Sequence, residues 1–303
     1  MGKLSKTFFQ ELQSHYRDIG MVIHYEAIPQ GSANSNYRVR TQTGNYFLKI
    51  IARQQEANLG RQLSFYRALS NSNIETICPI KNKEGDNVTH ISGQKILLFP
   101  YMNITEPKIT LRNAEALGRL TAALHNTAVS SASQLEQAKY NKKACLIALE
   151  GLNEVRRHKY LPYIEHISSI KDNLPKGFVF DDICPDNLYA DKHSIRGFID
   201  PENAGIGEYI FDIAGALIMC CFPRRNKFQL TRLFLQAYTK KRAHTKQEHD
   251  FLFEALIMVC VWLCLFFESR PSPAGHKKIA ERLGYADMLL AMGRERFYRA
   301  IGQ

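Results

Sequence analysis

The hydrophobic pattern of this chain passes from mostly strand-like to mostly helical near residue 105, and that change limits the folds open to it. Before it, Tyr37, Val39 and Thr41 alternate with Arg38 and Arg40. Thr43-Gly44-Asn45 then turns the chain into Tyr46-Phe47-Leu48-Lys49-Ile50, and an apolar run, Ile96 to Tyr101, closes the region. A helical stretch from about Gln54 to Leu69 interrupts these strands, and an amphipathic helix with Leu4, Phe8 and Leu12 on one face precedes them. From Thr110 onward the period is helical. Leu111 to His125 carries Leu117, Leu120, Ala123 and Leu124 on one side, a second block runs from about Asn141 to Ile167, and the chain after Phe211 is helical almost to its end. The pattern predicts an α+β fold of two lobes: a small strand-rich lobe over residues 1–103 and a large helical lobe over residues 104–303.

Composition excludes several classes. With 303 residues, 45% of them hydrophobic, the chain can bury a sizeable core. Its most apolar stretch, Phe251 to Phe267, falls short of the roughly 20 residues that span a bilayer and carries Glu254 near its start. It reads as a buried helix, so no membrane partner is expected. The N-terminus lacks the apolar core of a secretory signal. Seven cysteines, an odd number without paired C-x-x-C units, read as reduced thiols in a cytoplasmic protein. The net charge of +11 comes from scattered lysines and arginines, a diffuse field that attracts any anion. No helix-turn-helix, zinc pattern or aromatic-rich basic strand accompanies it, so no nucleic-acid partner is expected.

One strand-like island lies inside the helical half: FVFDDICPDNLYADKHSIRGFIDPENAG, from Phe178. Asp182 and Asn187 stand five apart on a segment broken by Pro185. The runs after Asn187 and up to Ile199 flank a polar turn, Asp191 to Ser194, as a hairpin would, and such a hairpin returns Asp200 close to Asn187. Phosphoryl transfer needs a carboxylate to orient a hydroxyl and take its proton, together with oxygen ligands for the magnesium that bridges the phosphates. Asp182 suits the first role, and Asn187 with Asp200 suits the second. Taken alone, each Asp is also a common turn residue; their order and spacing favour chemistry. Asp181 competes for the base role, but in extended backbone adjacent side chains point in opposite directions, and the offset of five selects Asp182.

The island resembles the catalytic region of the aminoglycoside phosphotransferase family, which includes choline kinases and type II homoserine kinases and shares the protein-kinase-like fold. Phe180 to Asn187 and Phe198-Ile199-Asp200-Pro201 occupy the places of that family's H-G-D-x-x-x-x-N and I-D-x motifs, with Phe180 for its histidine and Asp181 for its glycine. Phe211-Asp212-Ile213-Ala214 is similar to its Y-D-L-A, whose Asp braces the catalytic loop. Leu117 to His125 is similar to its L-G-x-x-L-A-x-L-H helix, although His125 on an apolar helix reads equally as a packing residue. Gly31 to Val39 resembles the phosphate-covering loop and following strand, and Tyr46 to Lys49 the strand bearing the ATP lysine.

The resemblance implies ATP and Mg2+, with Asp182 as base, Asn187 and Asp200 at the metal, and Gly31, Ser32 and Lys49 at the phosphates. The apolar run Leu97 to Met102, with Leu98 and Tyr101, would take the adenine. The family's glutamate partner to the lysine falls at Gln62, with Glu56 as a substitute. The acceptor is a small hydroxyl-bearing molecule. Asp186, Glu202 and Glu208 near the catalytic segments favour a cationic one, and the G-S-A-N-S-N-Y opening looks most like homoserine kinases, ahead of choline-like or aminoglycoside-like acceptors. A catalytically weak nucleotide-binding module is the alternative. Oligomeric state is not encoded in these features.

Overall fold

A computed structural model of the chain describes residues 3–29, 34–69, 72, 74–127, 138, 140–192 and 194–303. The backbone divides into two units, residues 1–67 with 76–105, and residues 68–75 with 106–303.

In the first unit, the Ser5 hydroxyl accepts the Phe8 N–H at 3.0 Å and starts α1 (Lys6–His15). Five antiparallel strands follow, β1 (Val22–Ile28), β2 (Ser35–Thr41) and β3 (Asn45–Ile50), then, after α2 (Glu56–Leu69) and the short β4 (Glu75–Thr76), β5 (Thr89–Ile91) and β6 (Gln94–Pro100). Their order in the sheet is β1-β2-β3-β6-β5. Register fixes which side chains share a face: Lys49 pairs with Asn36 on one side and with Leu97 on the other. The opposite face presents Tyr37, Val39, Leu48, Ile50, Ile96 and Leu98, which pack with Phe8, Phe9 and Leu12 of α1 into one core. On the Lys49 face, Tyr66 of α2 meets Phe99 at a ring distance of 6.1 Å.

The second unit is mostly helical. Thr110 caps α3 (Leu111–His125), accepting the Asn113 N–H at 3.2 Å. The helical block expected from about 141 to 167 comprises three helices, α4 (Lys142–Glu150), α5 (Glu154–His158) and α6 (Leu161–Ser169). Asn141 and Asn153 each cap a new start, accepting the N–H groups of Ala144 and Arg156 at 3.0 Å, and Pro162 enters the first turn of α6. The island then supplies β7 (Lys176–Val179), β8 (Leu188–Ala190), β9 (Ile195–Phe198) and β10 (Gly205–Glu208). β8 and β9 form the expected hairpin, while β10 returns to pair with β7, Gly205 opposite Val179.

Helix α7 (Tyr209–Ala216) runs into a π-helical turn, Leu217–Cys221, and α8 (Lys227–Thr239), α9 (Lys246–Glu268), α10 (Pro273–Met292) and α11 (Arg294–Ala300) complete the unit. Gly118 lets α3 meet α8 backbone to backbone, since a Cβ there would lie 2.2 Å from the Phe234 carbonyl oxygen. Helix α9 opens with a reciprocal cap between Thr245 and Glu248. By length and composition it could cross a membrane, yet it is mostly buried inside the protein. It is the core helix the sequence predicts. None of the seven cysteines forms a disulfide, and six of them are buried.

Candidate active site

The catalytic segment begins where β7 ends. Phe180, in the place of the motif's histidine, is fully buried and stacks on Phe198 with ring centroids 4.9 Å apart. Asp181 follows at φ +62°. This left-handed conformation suits glycine, the residue of the related motif, and Asp is one of the few others that tolerate it. The segment is therefore not extended at this point, as the sequence reading assumed. Asp181 is 1% exposed, and its Oδ1 accepts the Tyr140 N–H at 3.2 Å.

Asp182 is half-buried. Asn203 Nδ2 donates to its Oδ2 at 3.0 Å and orients the carboxylate, while Asn187 Nδ2 donates to its main-chain oxygen at 3.0 Å. A tight turn, Pro185–Asn187, closed by the Asn187 N–H on the Cys184 carbonyl at 3.0 Å, sets the five-residue offset in space. After the hairpin, the Ile199 N–H donates to the Asn187 carbonyl at 2.9 Å, so Asp200 follows directly on the residue that touches Asn187. Asp200 is exposed, at φ +58°.

With its Nδ2 committed to Asp182, Asn187 has its Oδ1 to offer; with the Asp200 carboxylate this is a pair of hard oxygen donors. Such a pair fits Mg2+, which retains waters and takes phosphate oxygens to complete its octahedron. Among the described residues no group of three or more His, Cys, Asp or Glu could hold an ion by itself. Of the other acidic residues singled out, Asp186 is exposed and Glu202 and Glu208 are half-buried.

Behind the loop lies a buried polar chain. The Asp212 carboxylate accepts the N–H groups of Asp181 at 2.8 Å and Phe180 at 3.1 Å, and it lies 3.0 Å from His125 Nε2. His125 Nδ1 meets the Tyr238 hydroxyl at 2.6 Å, which in turn accepts from Arg242 Nη1 at 3.0 Å. Arg242 is paired with Glu248 at 2.8 Å. Burial pushes the His125 pKa down against the opposing hydrogen bond to Asp212, so the ring is neutral near pH 7. The network then assigns the tautomer: Tyr238 donates to Nδ1, and Nε2–H donates to Asp212. His125 is a satisfied interior histidine that holds the loop's brace.

In the first unit, Lys49 is 6% exposed on the face it shares with Phe47, Leu97 and Phe99. Leu98 requires a correction. It is fully buried on the opposite face, in the α1 core, because strand parity turns 97 and 99 toward the lysine side and 98 away. Tyr101 lies beneath the Arg38 guanidinium, 4.5 Å from its ring centroid. Glu56 is not a substitute for the family's glutamate: it bonds Lys95 Nζ at 2.6 Å, an interaction that lowers its pKa. Gln62 is fully buried, with neither side-chain polar atom hydrogen-bonded among the described residues. Gly31 and Ser32 lie outside the described residues.

Sequence reasoning missed Asn203 and Tyr140. Asn203 carries a local signal, the polar run Asp200-Pro-Glu-Asn straight after the hairpin. Tyr140 contributes a main-chain N–H, for which a side-chain pattern gives no sign.

A strand-rich lobe with a buried lysine, and a helical lobe with a braced D-x-x-x-x-N loop, are the kinase-like parts of phosphoryl-transfer enzymes. Residues 24–246 match the model of the phosphotransferase enzyme family, and the chain belongs to that family. It is a small-molecule kinase, a phosphotransferase with an alcohol group as acceptor. Over 289 residues it is 25% identical to a homoserine kinase of Neisseria meningitidis serogroup B, covering 91% of this chain and 94% of that protein. Among solved structures, a microcompartment-associated aminopropanol kinase superposes with a TM-score of 0.73 at 17% identity, over 97% of both chains. An amicoumacin kinase in complex with AMP-PNP, Ca2+ and its antibiotic gives a TM-score of 0.67 at 16% identity, over 92% of this chain and 96% of that one. These likenesses bear out the α+β, two-lobed fold read from the sequence.

Proposed function

We propose that this kinase transfers the terminal phosphoryl group of ATP, with Mg2+, to the side-chain hydroxyl of homoserine. The observation that carries the reading is the fixed Asp182 carboxylate, oriented by Asn203 and set against Asn187 at the end of a hairpin that leads to Asp200. Asp182 orients the acceptor hydroxyl and takes its proton as the oxygen attacks phosphorus. Lys49 supplies a positive charge to the phosphates from a buried strand position. Asn187 and Asp200 would hold Mg2+, which when bound neutralises charge on the phosphate oxygens. The AMP-PNP and Ca2+ in the amicoumacin kinase complex support a nucleotide and a divalent cation on this fold. The near-full-length match to a homoserine kinase supports the acceptor.

The test is ADP release by the purified protein with ATP and Mg2+, offered L-homoserine, choline and an aminoglycoside in parallel. Homoserine should give the highest kcat/KM. A choline- or aminoglycoside-dependent rate with none for homoserine would overturn the acceptor assignment and leave the kinase assignment standing.

A further inference from the structure

Arg282, on α10, is buried in the second unit beside an exposed glutamate, Glu281, that leaves its Nε and Nη1 donors open. The residue is 5% exposed, and among the described residues neither Nε nor Nη1 has a hydrogen-bond partner. Among the described residues its Nη2 donates to the Met219 sulfur at 3.4 Å, a weak acceptor, and the guanidinium also reaches the Tyr285 hydroxyl. The guanidinium carbon stands 5.4 Å from the Tyr285 ring centroid. Glu281 Oε1 comes within 3.3 Å of Nη1 but lies outside hydrogen-bond alignment; its side chain is 40% exposed and already accepts the Tyr285 hydroxyl. An arginine cannot shed its charge, so a buried one with open donors calls for an anion.

Its position says which anion. Met219 lies in the π-helical turn, a geometry that recurs at functional sites. The next residue, Cys220, directs its thiol at the carbonyl of Ile183, 3.9 Å away, and Ile183 follows Asp182. The guanidinium is thus connected through a single half-buried side chain to the turn that backs the catalytic loop. A planar fork with adjacent Nε and Nη donors open matches a carboxylate bidentately.

We propose that Arg282 binds the carboxylate of the acceptor, which makes this enzyme a kinase of hydroxy amino acids and sets it against neutral-ended amino alcohols. The proposal rests on the kinase reading above and specifies its acceptor class. 3-Aminopropan-1-ol is homoserine without the carboxylate, so the two compounds isolate the contact. With the full-length protein, ATP and Mg2+, kcat/KM for L-homoserine should exceed that for 3-aminopropan-1-ol on the order of 10²-fold or more, the scale set by a buried charge pair. Arg282→Met keeps an unbranched apolar stem and removes the fork. It should erase the preference by lowering the homoserine value, leaving 3-aminopropan-1-ol within about threefold, and Arg282→Lys should restore part of it. Equal losses on both compounds, or a wild-type enzyme that does not prefer homoserine, would overturn the carboxylate site while the kinase reading stands. The wild-type comparison needs no variant and can overturn the carboxylate site even if Arg282→Met fails to fold. Transfer to neither compound would overturn this proposal and the homoserine reading together.

Discussion

Replacing Asp181 by alanine should cost the fold about 2–4 kcal/mol, a magnitude that follows from two local features. The Tyr140 N–H, in a residue 2% exposed, loses the Oδ1 acceptor it has at 3.2 Å. Leaving a buried donor unsatisfied costs about 1–3 kcal/mol. Position 181 also sits at φ +62°, where an ordinary L-residue is less favourable by about 1–2 kcal/mol and Asp or Asn is partly exempt. Asp181→Asn keeps both the acceptor oxygen and the tolerance, so it should stay within about 1 kcal/mol of wild type, with kcat changed only a few-fold. Asp181→Gly loses the acceptor but relieves the backbone, and should fall between them. Asp182→Asn should behave in reverse: the fold is retained, and kcat drops on the order of 10²–10⁴-fold because the proton acceptor is gone. The assays are urea unfolding midpoints and ADP release, run on all four variants. A folded Asp181→Asn protein without activity, beside an active Asp182→Asn protein, would place the base at 181 and refute the assignment.

Gly118→Ala should destabilise by about 3 kcal/mol or more, because the new Cβ meets the Phe234 carbonyl 2.2 Å away, backbone that cannot step aside; a thermal unfolding midpoint within 1 °C of wild type would contradict it. Gln62→Met should leave stability unchanged or raise it, since the fully buried amide has no hydrogen-bond partner to lose among the described residues; a loss above about 2 kcal/mol in urea unfolding would reveal one. Acid should weaken the fold between pH 6.5 and about 4. Burial lowers the His244 pKa to about 4 and lowers that of His125, so in this window the unfolded chain binds protons that the native state refuses. For His244 alone the loss reaches about 3 kcal/mol by pH 4; His244→Asn should flatten the dependence, and an unchanged slope would argue against the assignment.

Most of what the sequence made legible was local. Helix α3 is where the apolar period places it, from Leu111 to His125, and the β8–β9 hairpin turns at Asp191 to Ser194, with the Ser194 N–H on Asp191 Oδ1 at 2.8 Å. The Asp212 brace also follows its motif, because a single carboxylate at the start of α7 has two loop amides to hold. Leu98 was misplaced through a missed parity: once Lys49 is placed opposite Leu97, the alternation that defines a strand turns 98 to the α1 core. The breaks between α4, α5 and α6 were signalled by Asn141, Asn153 and Pro162, but the apolar period running through them hid the caps. The β10–β7 pairing joins residues 26 apart in the case of Gly205 and Val179, and nothing local specifies it. Glu56 went to Lys95 because the two meet only once the sheet has formed.

The chain from Arg242 through Tyr238 and His125 to Asp212 has a consequence for motion. Loops usually open and exchange their amide hydrogens far faster than core helices do. Here the amides of Phe180 and Asp181, in a segment without regular structure, end on a buried carboxylate that is itself held by a neutral imidazole. Releasing either proton to solvent means breaking into the packing of α3, α7 and α8 together, so these two amides should exchange on the timescale of whole-unit opening. A loop built in this way does not adapt itself to its substrates. Adjustment to different acceptors has to come from the walls around Asp182, while the catalytic carboxylate stays where the interior of the protein puts it.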